Sequence, residues 1–233
     1  MTPDETALVV YFSGHGVPGR LDGGAYLLPV DADPEDPVAT GYPVADLYAS
    51  LLALAPRSLV VILEAGFAAD SFAGAVLQSP AAPREDALAP PPGAPVTLLA
   101  ATRGDEIANW DEQAQLGLFT RFLLLGLDGG ADTGRLGDGD GRVTLAELDG
   151  WLAEELGFAA RRRFGRNQRA TVVGDPGAVL AQRMGDAWPP RPSLGELRAA
   201  ADALARSPDA APPAEPEPVL AVPDQPAGAE PGR

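Results

Sequence analysis

Hydrophobic positions along the chain follow two alternating patterns. Three near-continuous apolar runs of strand length, 7–12 (ALVVYF), 58–63 (SLVVIL) and 96–101 (VTLLAA), read as parallel strands covered on both faces. Between the first two, Val44, Leu47, Tyr48, Leu51, Leu52 and Ala55 recur at helical spacing, so a helix lays one stripe on the sheet. The spacing predicts a further helix over 67–77 and a strongly apolar one over 118–127, stopped by Gly129 and Gly130. Thr144 and Glu147 form a capping box ahead of Leu145, Leu148, Leu152 and Leu156. Strand alternating with helix implies right-handed crossovers and an α/β fold: a doubly wound, mostly parallel sheet with helices on both faces. In such sheets the working site lies at the carboxyl ends of the strands.

Proline sets the boundaries. The segment 79–95 carries six prolines, which forbid regular pairing and predict a surface loop. Eleven more follow from Pro189 onward. Within 189–207, Ser193 and Glu196 make a second capping box before Leu194, Leu197, Ala201 and Leu204, the pattern of a short amphipathic helix. Residues 208–233 hold too little apolar surface to offset their ordering entropy and read as a disordered tail. One domain over 1–188 remains.

Composition narrows the chemistry. The 233 residues include no Cys and one His. That excludes a disulfide framework, a zinc knuckle, an iron–sulfur cluster, a cysteine nucleophile and any metal site built on two imidazoles. A formal charge of −16 argues against nucleic acid and anionic membrane as partners. No apolar run approaches the ~18 residues of a membrane span, and the start is not that of a secretory signal, so the expected location is cytoplasmic.

The informative residues sit at strand ends. The first strand runs into Ser13-Gly14-His15-Gly16 and the second into Glu64-Ala65-Gly66-Phe67. Parallel neighbours bring both segments to one cleft, and Trp110 follows the third strand closely enough to overhang it. Farther on, Asp138, Asp140, Gly141, Val143 and Glu147 match part of a calcium loop, with Leu136 where the first ligand belongs. Glu147 also has a capping role, so calcium is a weak expectation and no other cofactor is implied. The cluster Arg161, Arg162, Arg163, Arg166 and Arg169 reads as a solvated helix end, or as a dock for an acidic partner or for the chain's own acidic surface.

Six blocks then stand in a telling order: VVYFSGHG, YLLPVDADP (26–34), VVILEAGF (60–67), LLAATRGDEIA (98–108), GLFTRFLL (117–124) and DGRVTLAEL (140–148). In order and spacing they resemble the caspase-like cysteine peptidases, and among these the bacterial metacaspase-like branch, over about residues 7–180. The resemblance implies a caspase-like fold in which the imidazole of SGHG works with a thiolate from a D-A-C-F-S-G segment while backbone N–H groups receive the oxyanion. His15 matches the family's His. Gly66 stands at the Cys position, Glu64 replaces the Asp, and Ala68-Ala69 replace Ser-Gly. Gly16 and Gly66 would line the oxyanion site, and Glu64 is the remaining candidate to hold a basic substrate side chain. Loss of the nucleophile from such a unit costs about 10⁶ in turnover. Ser71, expected on the 67–77 helix, and Ser13, on the same extended segment as His15, are poor substitutes.

Family members usually carry further strands before the His strand. Their lack here would leave 7–12 as an apolar sheet edge, to be completed by another polypeptide, encoded upstream. The reading is therefore a non-catalytic caspase-like protein that binds a peptide or protein partner. Its alternatives are a peptidase working through an unorthodox nucleophile or a partner's thiol, and a calcium-responsive interaction module.

Overall fold

The computed structural model describes residues 6–184, apart from 20, 21, 69, 72, 73, 77–83 and 85. The predicted helix within 189–207 and the tail 208–233 lie outside the described residues.

β1 (Ala7–Ser13) turns at Gly14 into β2 (His15–Pro18), which pairs antiparallel with β3 (Ala25–Leu28). A one-turn helix, α1 (Pro37–Thr40), precedes β4 (Tyr42–Pro43), the third strand of this side sheet, and α2 (Val44–Leu52) follows directly. Next come β5 (Ser58–Glu64), the short hairpin of β6 (Asp70–Ser71) and β7 (Gly74–Ala75), and β8 (Val96–Ala100). A second hairpin, β9 (Trp110–Asp111) and β10 (Leu116–Gly117), leads into α3 (Leu118–Leu125). The described residues end with β11 (Arg142–Thr144), α4 (Leu145–Trp151), α5 (Gly157–Phe164), β12 (Thr171–Val173) and β13 (Val179–Gln182), the last pairing with β11.

The central sheet has the order β1-β5-β8-β12, parallel except for β12. On one face Leu8, Val10, Leu59, Val61, Leu63 and Leu98 pack against Val44, Tyr48 and Leu51 of α2. Leu88, from the Pro-rich loop, joins this layer, and its carbonyl accepts the Tyr48 hydroxyl at 2.9 Å. On the other face Val60, Ile62, Leu99 and Val172 meet α3, α4, α5 and the π-helical turn Leu152–Leu156 between the last two, through Leu118, Phe119, Leu123, Leu148, Leu152 and Ala160. The fold is thus mixed α/β, with a mostly parallel sheet and helices on both faces.

Three expectations are corrected. The run 67–77 forms no helix over its described residues: Gly74 has φ 126°, outside any helix, and Asp70 and Ser71 pair with Ala75 and Gly74. Strand β1 is not covered on both faces. Val9 and Tyr11, on its second face, are 63% and 50% exposed, because α3 reaches only as far as a hydrogen bond between the hydroxyls of Tyr11 and Thr120. The arginine cluster is also no uniform solvated face, since Arg163 and Arg169 grip Asp111 and Glu106. Elsewhere the pattern holds. α3 runs on through one π-helical turn to Gly130, where Gly129 at φ 98° breaks it, and Thr144 and Glu147 cap α4 reciprocally.

Candidate functional site

The parallel ladder of β1 and β5 outlasts the strands themselves. Gly14 N–H donates to the Glu64 carbonyl at 3.2 Å and Gly16 N–H to the Gly66 carbonyl at 3.1 Å. This zipper draws the segments 13–16 and 64–66 together at the carboxyl end of the sheet. They open into a pocket of about 290 Å³, walled otherwise by Val76, Ala108, Asn109, Trp110 and Gly117.

His15 stands exposed at the rim as the first residue of β2, opposite Leu28, and no described side chain holds its ring. Gly66 lies beside it in the wall. A methyl group there would meet Ala108 N at 3.1 Å and the Glu106 carbonyl oxygen at 3.4 Å, a tight fit that a shift of a few tenths of an ångström relieves. The expected oxyanion role of Gly16 is not met: its N–H already serves the Gly66 carbonyl and is unavailable to the cleft. Ser13 departs from expectation in the other direction. The bend at Gly14 breaks the strand alternation, and both Ser13 and His15 line the pocket. Ser71 belongs to β6 and not to a helix.

Glu64 is buried, 5% exposed. Its Oε2 accepts the N–H of Thr120, the third residue of α3, at 2.7 Å. The residue preceding α3 is Gly117, which has no side chain to cap the helix, and a strand-end carboxylate from 56 positions away supplies the missing acceptor. The exchange requires glycine, because any methyl at 117 would overlap the Glu64 carboxylate. Burial pushes the Glu64 pKa up, against hydrogen bonds from Thr120 that pull it down. Its second oxygen, Oε1, is buried with no hydrogen-bond partner.

A second orphan lies in the same wall. Asn109 is fixed by Gln168, whose Oε1 accepts both the Asn109 backbone N–H (3.0 Å) and its Nδ2 (2.9 Å). Gln168 in turn donates to the Ala101 carbonyl at 3.1 Å. Held this way, Asn109 keeps a buried Oδ1 that nothing satisfies. Trp110, half-buried, completes the wall as anticipated. The wall is braced from behind: buried Asp111 takes two hydrogen bonds from Arg163, at 2.6 and 3.0 Å, and a further one from Arg121. The guanidinium of Arg163, aided by that of Arg121, holds the Asp111 carboxyl far below the usual carboxylate range although burial opposes it.

The acidic loop is a separate place. Asp138 and Asp140 do approach each other, and the residue that joins them is Asp132, not Leu136 or Glu147. Glu147 is spoken for: Oε2 accepts from Thr144 and Oε1 from the Asp138 N–H. Burial alone would raise its pKa, but these bonds outweigh it and hold the carboxyl below the ordinary range. Asp132 carries no motif signal, because it precedes the loop start by four residues and reaches the cluster only through folding. Asn109 and the Asp111–Arg163 pair are likewise joined only by folding. No protein-family model matches the chain, and no curated protein is similar to it. No helix among the described residues is long and apolar enough to cross a membrane.

Proposed function

We propose that this chain is a non-catalytic, caspase-like protein whose pocket binds a donor-rich cationic side chain of a peptide or protein partner. The observation that carries the reading is the pair of buried, unsatisfied acceptors, Glu64 Oε1 and Asn109 Oδ1, in one pocket wall. A buried acceptor without a partner costs roughly 1–3 kcal/mol. A guanidinium or ammonium group supplies several N–H donors and the charge that a desolvated carboxylate lacks. The block order and the match of His15 support the caspase-like assignment, from which Gly66, at the Cys position, departs. The absence of any side chain at Gly66 supports loss of chemistry, since the position matched to the nucleophile carries no attacking group. The position of β1 at the sheet edge among the described residues supports a further role for the partner, that of adding a strand.

The experiment is twofold: calorimetric titration with an Arg-containing peptide and its citrulline analogue, and a fluorogenic assay with Arg before the scissile bond. Binding of the Arg peptide is expected, weakened about tenfold or more by Glu64→Gln or by citrulline, with no hydrolysis. Equal affinity for both peptides would refute the cationic pocket. The second reading, hydrolysis through an unorthodox nucleophile, rests on Ser13, which shares the wall with His15. Turnover abolished by Ser13→Ala would establish it and remove the non-catalytic reading.

A further inference from the structure

The loop between α3 and β11 folds three carboxylates onto one point. Asp132 leaves the end of the π-helical turn, and Asp138 and Asp140 return on the far side of a tight bend. The bend closes because Gly137 lies directly on the Asp132 backbone, where any Cβ would overlap it. One oxygen from each carboxylate lies within 4.8 Å of the other two.

Hydrogen bonds leave these oxygens available. Asp138 Oδ1 accepts the Asp140 N–H at 3.0 Å and Asp140 Oδ1 accepts the Arg142 N–H at 2.8 Å, so each of these side chains keeps its other oxygen. Asp132 is the informative member. It is 3% exposed, its Oδ2 accepts the Gly141 N–H at 3.1 Å, and its Oδ1 is buried with no hydrogen-bond partner among the described residues. None of the three is in an ion pair with an arginine among the described residues. A buried carboxylate oxygen with neither donor nor cation, converging with two more carboxylates, is the arrangement that a metal ion satisfies.

We propose that Asp132, Asp138 and Asp140 form a divalent-cation site suited to calcium. Ligand chemistry favours that ion. The donors are carboxylate oxygens on an irregular loop, which calcium accepts in a flexible coordination shell, whereas magnesium demands about 2.1 Å and a stricter octahedron. Glu147 is a positioning residue, because its Oε1 holds the Asp138 N–H at 3.2 Å and thereby fixes the loop. The ion ties the turn that follows α3 to the start of β11. The site stands apart from the pocket, and neither depends on the other.

The test uses the full chain and calcium chloride alone. Calorimetry is expected to give one ion per chain with a dissociation constant on the order of 10⁻⁵–10⁻³ M. At a hundredfold excess over that constant the melting temperature rises by about 5–10 °C, and magnesium chloride at equal concentration gives less. Asp138→Asn and Asp140→Asn, at exposed positions, leave the metal-free melting temperature near that of the wild type and weaken calcium binding at least tenfold. Asp132→Asn abolishes it, with circular dichroism confirming the fold. No saturable binding up to about 10 mM calcium, or wild-type affinity in both exposed variants, overturns the site.

Discussion

Glu64 shows how one side chain serves two parts of a molecule. Its Oε2 closes the N-terminus of α3, and its Oε1 waits unpaired in the pocket wall. Burial raises its pKa above the ordinary 4.5, so the folded protein holds the proton to higher pH than the unfolded chain does. Glu64 therefore contributes stability below the ordinary carboxylate pKa, and this is lost as pH rises through the folded value. Glu64→Gln removes the ionisation while keeping an acceptor for Thr120. Denaturant unfolding of both proteins across pH 4.5 and upward should show the variant gaining on the wild type as pH rises, then running parallel to it. A constant gap over the whole range would mean that the carboxyl is not desolvated. The placement of Glu64 at a strand end was legible from sequence, because the apolar run ends there. Its burial was not, since that depends on a glycine and an N–H in α3 more than fifty positions on.

At the scale of elements, the hairpin of β9 and β10 deserves comparison with the strands it serves. It has only two residues per strand and little core of its own, yet it carries Trp110 and Gly117 in the pocket wall. Its rigidity comes from Asp111, clamped by α3 through Arg121 and by α5 through Arg163. Asp111→Ala strands two guanidinium groups, and because both are about a third exposed the cost falls below the ~3–5 kcal/mol of a fully buried pair, to roughly 2 kcal/mol. Calorimetric melting measures that loss, and the affinity for the Arg peptide should fall with it. Arg163→Lys should recover little of either, because an ammonium cannot make both bonds of the fork. Unchanged peptide affinity in Asp111→Ala would separate the clamp from the pocket. The hydrophobic pattern marked the three long strands as near-continuous apolar runs and α2 and α3 as apolar helical segments. It failed for 67–77, where alanine-rich composition favours a helix but Gly74 takes a backbone angle no helix has, and for β12, whose three residues are too few to show a period.

The whole molecule carries a contradiction between its charge and its edge. A net charge of −16 keeps copies apart, whereas among the described residues β1 lies unpaired at the sheet edge. Sheet edges are ordinarily blunted by a charge, a proline or a bulge, and ALVVYFS has neither charge nor proline, while its register with β5 runs unbroken from Ala7 to Ser13. Among the described residues nothing pairs with its outer side, and Val9 and Tyr11 extend the exposed apolar surface beside it. An edge of this kind takes an added strand, and in the absence of its proper partner a second copy is the available donor. Sedimentation of the purified chain should then show association that grows with concentration. Added salt should strengthen it, since about 0.5 M screens the repulsion beyond a few ångströms and leaves strand pairing intact. Val9→Lys puts a charge on the edge strand and should return the chain to monomer without altering calcium or peptide binding. A monomer at every concentration and ionic strength would refute the idea that β1 is an interface, because backbone donors and apolar side chains freed from electrostatic repulsion have nothing else to keep them apart.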